Sequence, residues 1–461
     1  MERKNRSIAV GDQPRPVCQA RRTSPPHPAR PRPAGPGRGQ RWPARAALLA
    51  ASFALAAPAS AQLVDTYFPA GLIGYGTSLG VTVASRERPE YDPPGVHAGS
   101  FVIRPQFATS VGYDSNAIFR TPGRSSMAVR NSGSVLATTN WSSDNANAFV
   151  SFDNVVYPDV SGQNYTAWSG TLGKVFDFGR DRLTLAASHL TLYQTSRDIN
   201  TPQALNEPGQ YQINNIRASF EATRGLFYLV PALQYTTYRY SNVIAGGQPL
   251  NQTNRNRDML EGQLTTKIGD ALLRDFAVVL RGASIHYTSP QVGQPNRDAD
   301  AISVLAGIDH VASAVWRFRA LAGYQVRWFH SSAFNTVSAP ILEANVIYSP
   351  SGLTTVTATL TRAIQDAANE FAATYISTAA RLTIDHELWR NVLLNGHVSL
   401  EQAQYQQGGG NEAFINGGTG VTWLVNRNVR IAATYDHITK HPTSGSNINE
   451  DVVLIRLLLG L

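Results

Sequence analysis

From residue 100 to Leu461, apolar and polar positions alternate with a period of two, interrupted at intervals by turn residues. Successive side chains of a strand point to opposite faces, so each such stretch predicts a β-strand with one apolar and one polar face. In the first, Phe101, Ile103, Pro105, Phe107, Thr109, Val111 and Tyr113 share a face opposite Val102, Arg104, Gln106, Ala108, Ser110 and Gly112. The clearest stretch is 316–328, where Trp316, Phe318, Ala320, Ala322, Tyr324, Val326 and Trp328 oppose Arg317, Arg319, Leu321, Gly323, Gln325 and Arg327. Similar stripes run through Ile216–Ala222, Leu260–Ile268, Pro340–Tyr348, Val421–Val425, Val429–Tyr435 and Val453–Leu461. Near 146–157, 182–195 and 353–364 the alternation breaks and the pattern assigns no register.

A soluble sandwich also alternates, with its apolar face inward, so length and loop order decide. Several stretches run about ten to fourteen residues, as a tilted membrane strand requires, against five or six in ordinary soluble sheets. Short connections at 142–145, 177–181, 224–226, 270–273, 349–352 and 426–428 alternate with longer polar ones at 114–130, 196–209, 241–256, 289–298, 331–338 and 441–449. Short periplasmic turns and long outer loops are the asymmetry of outer-membrane barrels. The fold expected is therefore all-β: a transmembrane antiparallel up-and-down β-barrel of about 18 strands, with both barrel ends on the periplasmic side.

The cost of burying charge in lipid orients the faces. Each Arg directed at the bilayer midplane costs about 2–4 kcal/mol, so the face of Arg317, Arg319 and Arg327 is the inner one. By the same rule the lumen is lined by Arg104, Arg217, Lys267, Arg281, Arg381 and Arg430. Its acids are Glu221, Glu261, Glu343, Glu401 and Asp436. Nine basic against five acidic groups suggest anion preference, as Arg/Lys rings give in pores; pairing across strands is the competing reading. Phe101, Tyr113, Trp316, Trp328, Tyr348, Trp423 and Tyr435 fall where aromatic girdles meet the lipid interface.

Net charge changes the picture only after it is divided. Of 40 Lys+Arg and 32 Asp+Glu, residues 1–61 hold 11 and 2, leaving 29 and 30 for the remainder. The basic excess belongs to a leader, and a nucleic-acid partner is not implied. Arg41 and Arg45 precede the apolar run Ala46–Ala57, followed by Pro58 and Ala59-Ser60-Ala61, the three parts of a secretory signal. Residues 1–40, rich in Pro, Arg and Gly, are unusual for such a signal, and a translation start near Trp42 would explain them. Cys18, the one cysteine, lies in this leader, so the remainder offers neither a disulfide framework nor a thiolate metal site. The expected organisation is leader and signal peptide at 1–61, a periplasmic N-terminal segment at 62–99 and the barrel at 100–461.

Two short motifs carry a family resemblance. Arg88-Pro89-Glu90-Tyr91-Asp92-Pro93 leads through Gly99-Ser100-Phe101 into the first strand, and Tyr113-Asp114-Ser115-Asn116 follows it. This arrangement resembles the family called putative β-barrel porin 2. The resemblance implies an outer-membrane barrel of Gram-negative bacteria, in a family sometimes associated with exopolysaccharide loci; it supplies no substrate. The terminal stripe Val453, Ile455, Leu457, Leu459 and Leu461 is similar to the signal read by the barrel assembly machinery, with Leu461 where Phe or Trp is usual.

Candidate chemistry is sparse. His189, His286, His310, His330, His386, His397 and His437 are scattered without zinc-ligand spacing. Asp114 and Asn116 could hold a cation, although such residues in loops more often make local turn hydrogen bonds. Neither an enzyme nor a cofactor is expected. The function expected is a porin-like passive channel for small solutes, with anions favoured by the lumen count. Two alternatives stand beside it: a component of exopolysaccharide export with periplasmic partners, and a non-conducting structural or adhesive barrel. The partners implied are outer-membrane lipid, lipopolysaccharide and the assembly machinery, with a homo-oligomer left open. Residues 62–99 are long enough for a periplasmic contact or a lumen insert.

Overall fold

In the computed structural model, the described residues are 67–461 apart from 70, 76–79, 142, 202–204, 271–272, 291–292, 311–314, 369–371 and 408–409. The leader and signal peptide expected at 1–61 lie outside them. In chain order the strands are β1 (Val96–Ala98), β2 (Phe101–Asp114), β3 (Ser126–Thr139), β4 (Ala146–Val156), β5 (Tyr165–Asp177), β6 (Arg182–Gln194), β7 (Gly209–Arg224) and β8 (Phe227–Tyr240). The series continues with β9 (Val243–Ala245), β10 (Gln248–Leu250), β11 (Arg257–Asp270), β12 (Leu273–Tyr287), β13 (Ala299–His310), β14 (Trp316–Phe329) and β15 (Val337–Ser351). It ends with β16 (Thr354–Asp366), β17 (Thr374–Trp389), β18 (Val392–Tyr405), β19 (Asn411–Leu424), β20 (Val429–His441) and β21 (Ile448–Gly460).

Eighteen of these, β2–β8 and β11–β21, pair antiparallel with their neighbours. The circle closes where β2 meets β21, from Gln106 opposite Gly460 to Asp114 opposite Val452. Closure leaves no unpaired strand edge, the condition for backbone to stand in lipid. β1 is a short addition on the first residues of β2, and β9–β10 form a small hairpin in the connection from β8 to β11.

The faces divide as the energetic argument requires. Phe101, Phe107, Val111 and Tyr113 are exposed, while Val102, Arg104, Ala108, Ser110 and Asp114 of the same strand are buried. Connections fall into two sets. One end of the barrel carries turns of two to six residues, the other loops of five to sixteen. Phe101, Trp316, Tyr348 and Trp423 stand near the turn end, Tyr113, Trp328 and Tyr435 toward the loop end. Trp316 stacks on Tyr348 with ring centroids 4.2 Å apart, extending the girdle across β14 and β15.

Where the sequence pattern broke, the cause is local. On β4 and β6 the inward positions include Phe149, Leu190 and Leu192, all buried. They belong to an apolar cluster with Phe68, Leu72 and Tyr75 of the segment before the barrel. A strand that is apolar on both faces loses its alternation, and these two face lipid outside and a packed segment inside.

Candidate functional site

Inward side chains of the eighteen strands form the candidate site. On the wall from β11 to β15, Lys267 Nζ lies 2.5 Å from Asp309. Arg281 donates to Glu343 at 2.5 Å and to Gln263 at 2.8 Å, and Arg319 stands 3.9 Å from the same Glu343. Arg317 shares that face, two residues along β14. Glu261 accepts a hydrogen bond of 2.9 Å from Gln234.

The next stretch of wall, β17 to β20, is more acidic. Asp385 accepts from Asn395 at 2.6 Å, His397 lies 3.3 Å from Asp436, and Arg381 donates to Thr383 at 3.4 Å. Glu401 is buried on β18. Elsewhere Arg104 is buried and donates to Thr138 at 3.3 Å. Glu221 stands in register with Arg182 of the neighbouring strand. The structure thus brings Arg281, Arg319 and Glu343 together and leaves the remaining lumen candidates distributed around the wall. Acids absent from the sequence reading share this surface: Asp309, Asp385, Glu387, Glu412 and Glu450. They stand beyond the ends of the apolar stripes read from the sequence.

Two segments cross the lumen. At the turn end, the described residues among 67–95 lie along the inside before β1. Phe68 meets Phe149 edge-on at 6.1 Å, and the Tyr75 hydroxyl donates to Asn215 Oδ1 of β7 at 2.7 Å. Gly74 has a φ of +79°, and a Cβ there would sit 2.3 Å from that of Ala186, so only glycine fits this approach. Arg217 donates to the Gly74 carbonyl at 3.4 Å. The chain then reaches the other side. Gly80 lies against Ile347 and Arg317, Val83 N–H donates to Thr355 Oγ1 at 3.0 Å, and Arg88 pairs with Glu387 at 2.9 Å. Arg86 binds the same carboxylate. Arg430 donates to Asp92 at 2.8 Å and to the Tyr91 carbonyl at 3.0 Å.

At the loop end, residues 195–201, which follow β6, fold inward. In a circle of eighteen, β6 and β7 stand fifth and sixth, while β16–β21 occupy the last six places. Arg197 nonetheless reaches β21 and β2, pairing with Glu450 at 2.5 Å and Asp114 at 2.9 Å. It also lies over the rings of Phe119 and Tyr157, 5.7 Å from each centroid. Asn200 N–H donates to Glu412 at 3.1 Å, and its side chain donates to the Asp366 carbonyl at 3.0 Å. Lys440 donates to the carbonyls of Ser196 and Asp198, 3.1 Å each. Ile199 inserts into a small cluster with Ala367, Ala372, Tyr375 and Ala403.

Electrostatics fix this loop. Burial works against the Arg197 charge, but Glu450 foremost holds its proton more firmly than usual. Burial pushes the Asp198 carboxyl above its usual range, against hydrogen bonds from Thr195 and the charge of Lys440. Beside it, Arg327 at 2.8 Å, Arg257 at 3.3 Å and the Tyr287 hydroxyl at 3.0 Å converge on Asp366. Asp114, a cation candidate from its motif, instead takes Arg197 and the Tyr157 hydroxyl, and accepts the local turn bond from Asn116 N–H at 2.9 Å. Among the described residues no group of three or more His, Cys, Asp or Glu could hold a metal ion.

The sequence model of a family described as Putative beta-barrel porin 2 matches residues 88–459. No curated protein matches the sequence. Among solved structures, OccK1 (OpdK) of Pseudomonas aeruginosa is similar at 9% identity, covering 78% of this chain and 99% of that one, with a TM-score of 0.42. A BenF-like porin from Pseudomonas fluorescens Pf-5 has 8% identity, coverage of 79% and 99%, and a TM-score of 0.43. For Acinetobacter baumannii OccAB3 the values are 8%, 78%, 99% and 0.41. Likeness at that level carries no argument about function.

Proposed function

Because the chain belongs to the putative β-barrel porin 2 family, an outer-membrane barrel family, we propose that it is a passive channel of narrow bore for small solutes. The turn end is then periplasmic and the loop end external. One observation carries the reading: a closed barrel apolar outside has an inner wall of charges and amides. Such a wall is costly against lipid or a dry core and suits water. Eighteen strands are enough to enclose an aqueous passage rather than a packed core.

Solute preference is mildly anionic in this reading. Arg281 and Arg319 gather around Glu343, with Arg317 further along the same face, whereas on β17 and β20 Asp385 and Asp436 outnumber Arg381. The preference is weak because most lumen charges have partners. Reversal potentials of the purified protein in planar bilayers under a KCl gradient test it. A modest shift toward the chloride potential supports the proposal; cation selectivity overturns its anionic part, and a barrel that never conducts overturns the whole.

A further inference from the structure

We infer that residues 195–201, which follow β6, are a gate at the external mouth, latched by Arg197 in a cage formed by Asp114, Glu450, Phe119 and Tyr157. The inference rests on the channel reading and adds a moving part to it.

Three observations combine. First, residues 195–201 leave β6 on one wall and are fastened to the opposite one, so in place this loop reaches across the mouth. Second, its fastening is separate from the barrel's own integrity: the ladders β6–β7, β2–β21 and β20–β21 are complete without it. Released, it leaves every strand paired. Third, apart from Ile199 its far attachment is polar, made by Arg197, Asn200 and the carbonyls of Ser196 and Asp198. Little apolar area is re-exposed when the loop leaves, so the buried Arg197 ion pair is itself the barrier to opening.

The receiving residues predict what opening does. Asp114 and Glu450 are fully buried, 0% exposed each, and their neutralising charge is carried by the loop itself. A buried carboxylate stripped of its partner draws in water or a counter-ion. When Arg197 leaves, the mouth loses a positive charge and uncovers a carboxyl pair that keeps at least one negative charge. Opening therefore widens the path and shifts selectivity toward cations in one step. It also gives Tyr113-Asp114-Ser115-Asn116 a role beyond its turn, because Asp114 is the catch of the latch.

Single-channel recording of the full-length protein tests this with Arg197→Met and the conservative Arg197→Lys. Lysine cannot fork across two carboxylates as arginine does. The expected result is a several-fold rise in unitary conductance for Arg197→Met, together with a reversal potential displaced toward cations, and an intermediate change for Arg197→Lys. A second variant guards against misfolding: Ile199→Cys with Ala403→Cys in a Cys18→Ser background, two positions of one apolar cluster. Oxidised, it should hold the small conductance without openings; reduced, it should gate as the parent does. Equal conductance and selectivity in Arg197→Met and parent, with the cysteine pair indifferent to redox state, overturns the gate and leaves the channel standing. Silence of every variant overturns both.

Discussion

Two segments cross this barrel, and they are held by different physics. The turn-end crossing, periplasmic in the proposed orientation, seats Phe68, Leu72 and Tyr75 among eight buried wall residues from Leu136 to Tyr238. Each large apolar side chain so buried contributes about 1.5–3 kcal/mol, and Arg88–Glu387 and Asp92–Arg430 pin the remainder. The external crossing has one apolar anchor, Ile199, and otherwise depends on Arg197, Asn200 and Lys440. Apolar packing is insensitive to exchange of partners, whereas an ion pair can be traded for water and counter-ions. The first crossing is thus a fixed narrowing, and the second is suited to release.

Substitutions can break that contrast. The largest effect is expected from Phe68→Ala, which empties a packed site at a cost of about 3–5 kcal/mol. It should free the 67–75 segment to protease while the barrel keeps its heat-resistant, compact migration in gels. Gly74→Val meets Ala186 directly and must adopt a left-handed φ. Strain and overpacking together amount to about 2–5 kcal/mol, read as faster hydrogen exchange at the Val83 amide. Glu387→Gln removes the carboxylate shared by Arg86 and Arg88. A loss of about 1.5–3 kcal/mol is expected, with exchange rising at 83–92 and not at 196–200. The smallest effect belongs to Asn200→Ala, about 1 kcal/mol, confined to exchange at the external loop. Should Phe68→Ala loosen the external loop as much as the periplasmic segment, the two crossings are one coupled unit and the contrast fails.

Much of the fold was legible because lipid imposes a simple rule on every strand. The stripe from Trp316 to Trp328 and the sorted loops fixed the barrel, its outer face and its eighteen strands. The interior was less legible. Phe149, Leu190 and Leu192 broke the alternation, and that irregularity was the trace of a segment packed inside, although nothing in the pattern named Phe68 or Tyr75 as its partner. Arg197 left no trace at all. Its partners lie 83 and 253 residues away, and an Arg-Asp pair in a polar loop looks like any solvated turn. The lumen charge count shifted for a related reason: Glu412, Glu450 and Asp366 stand at strand ends, where alternation does not separate wall from loop.

The central claim is a barrel whose bore is set by the chain crossing it rather than by its strand number. Liposome swelling with graded neutral solutes, from pentoses through trisaccharides to short polyethylene glycols, measures that bore directly. Proteoliposomes should swell in pentose and hexose and fail to swell in trisaccharide. Free passage of the trisaccharide and the polymers, as an unobstructed eighteen-strand barrel would permit, contradicts the account.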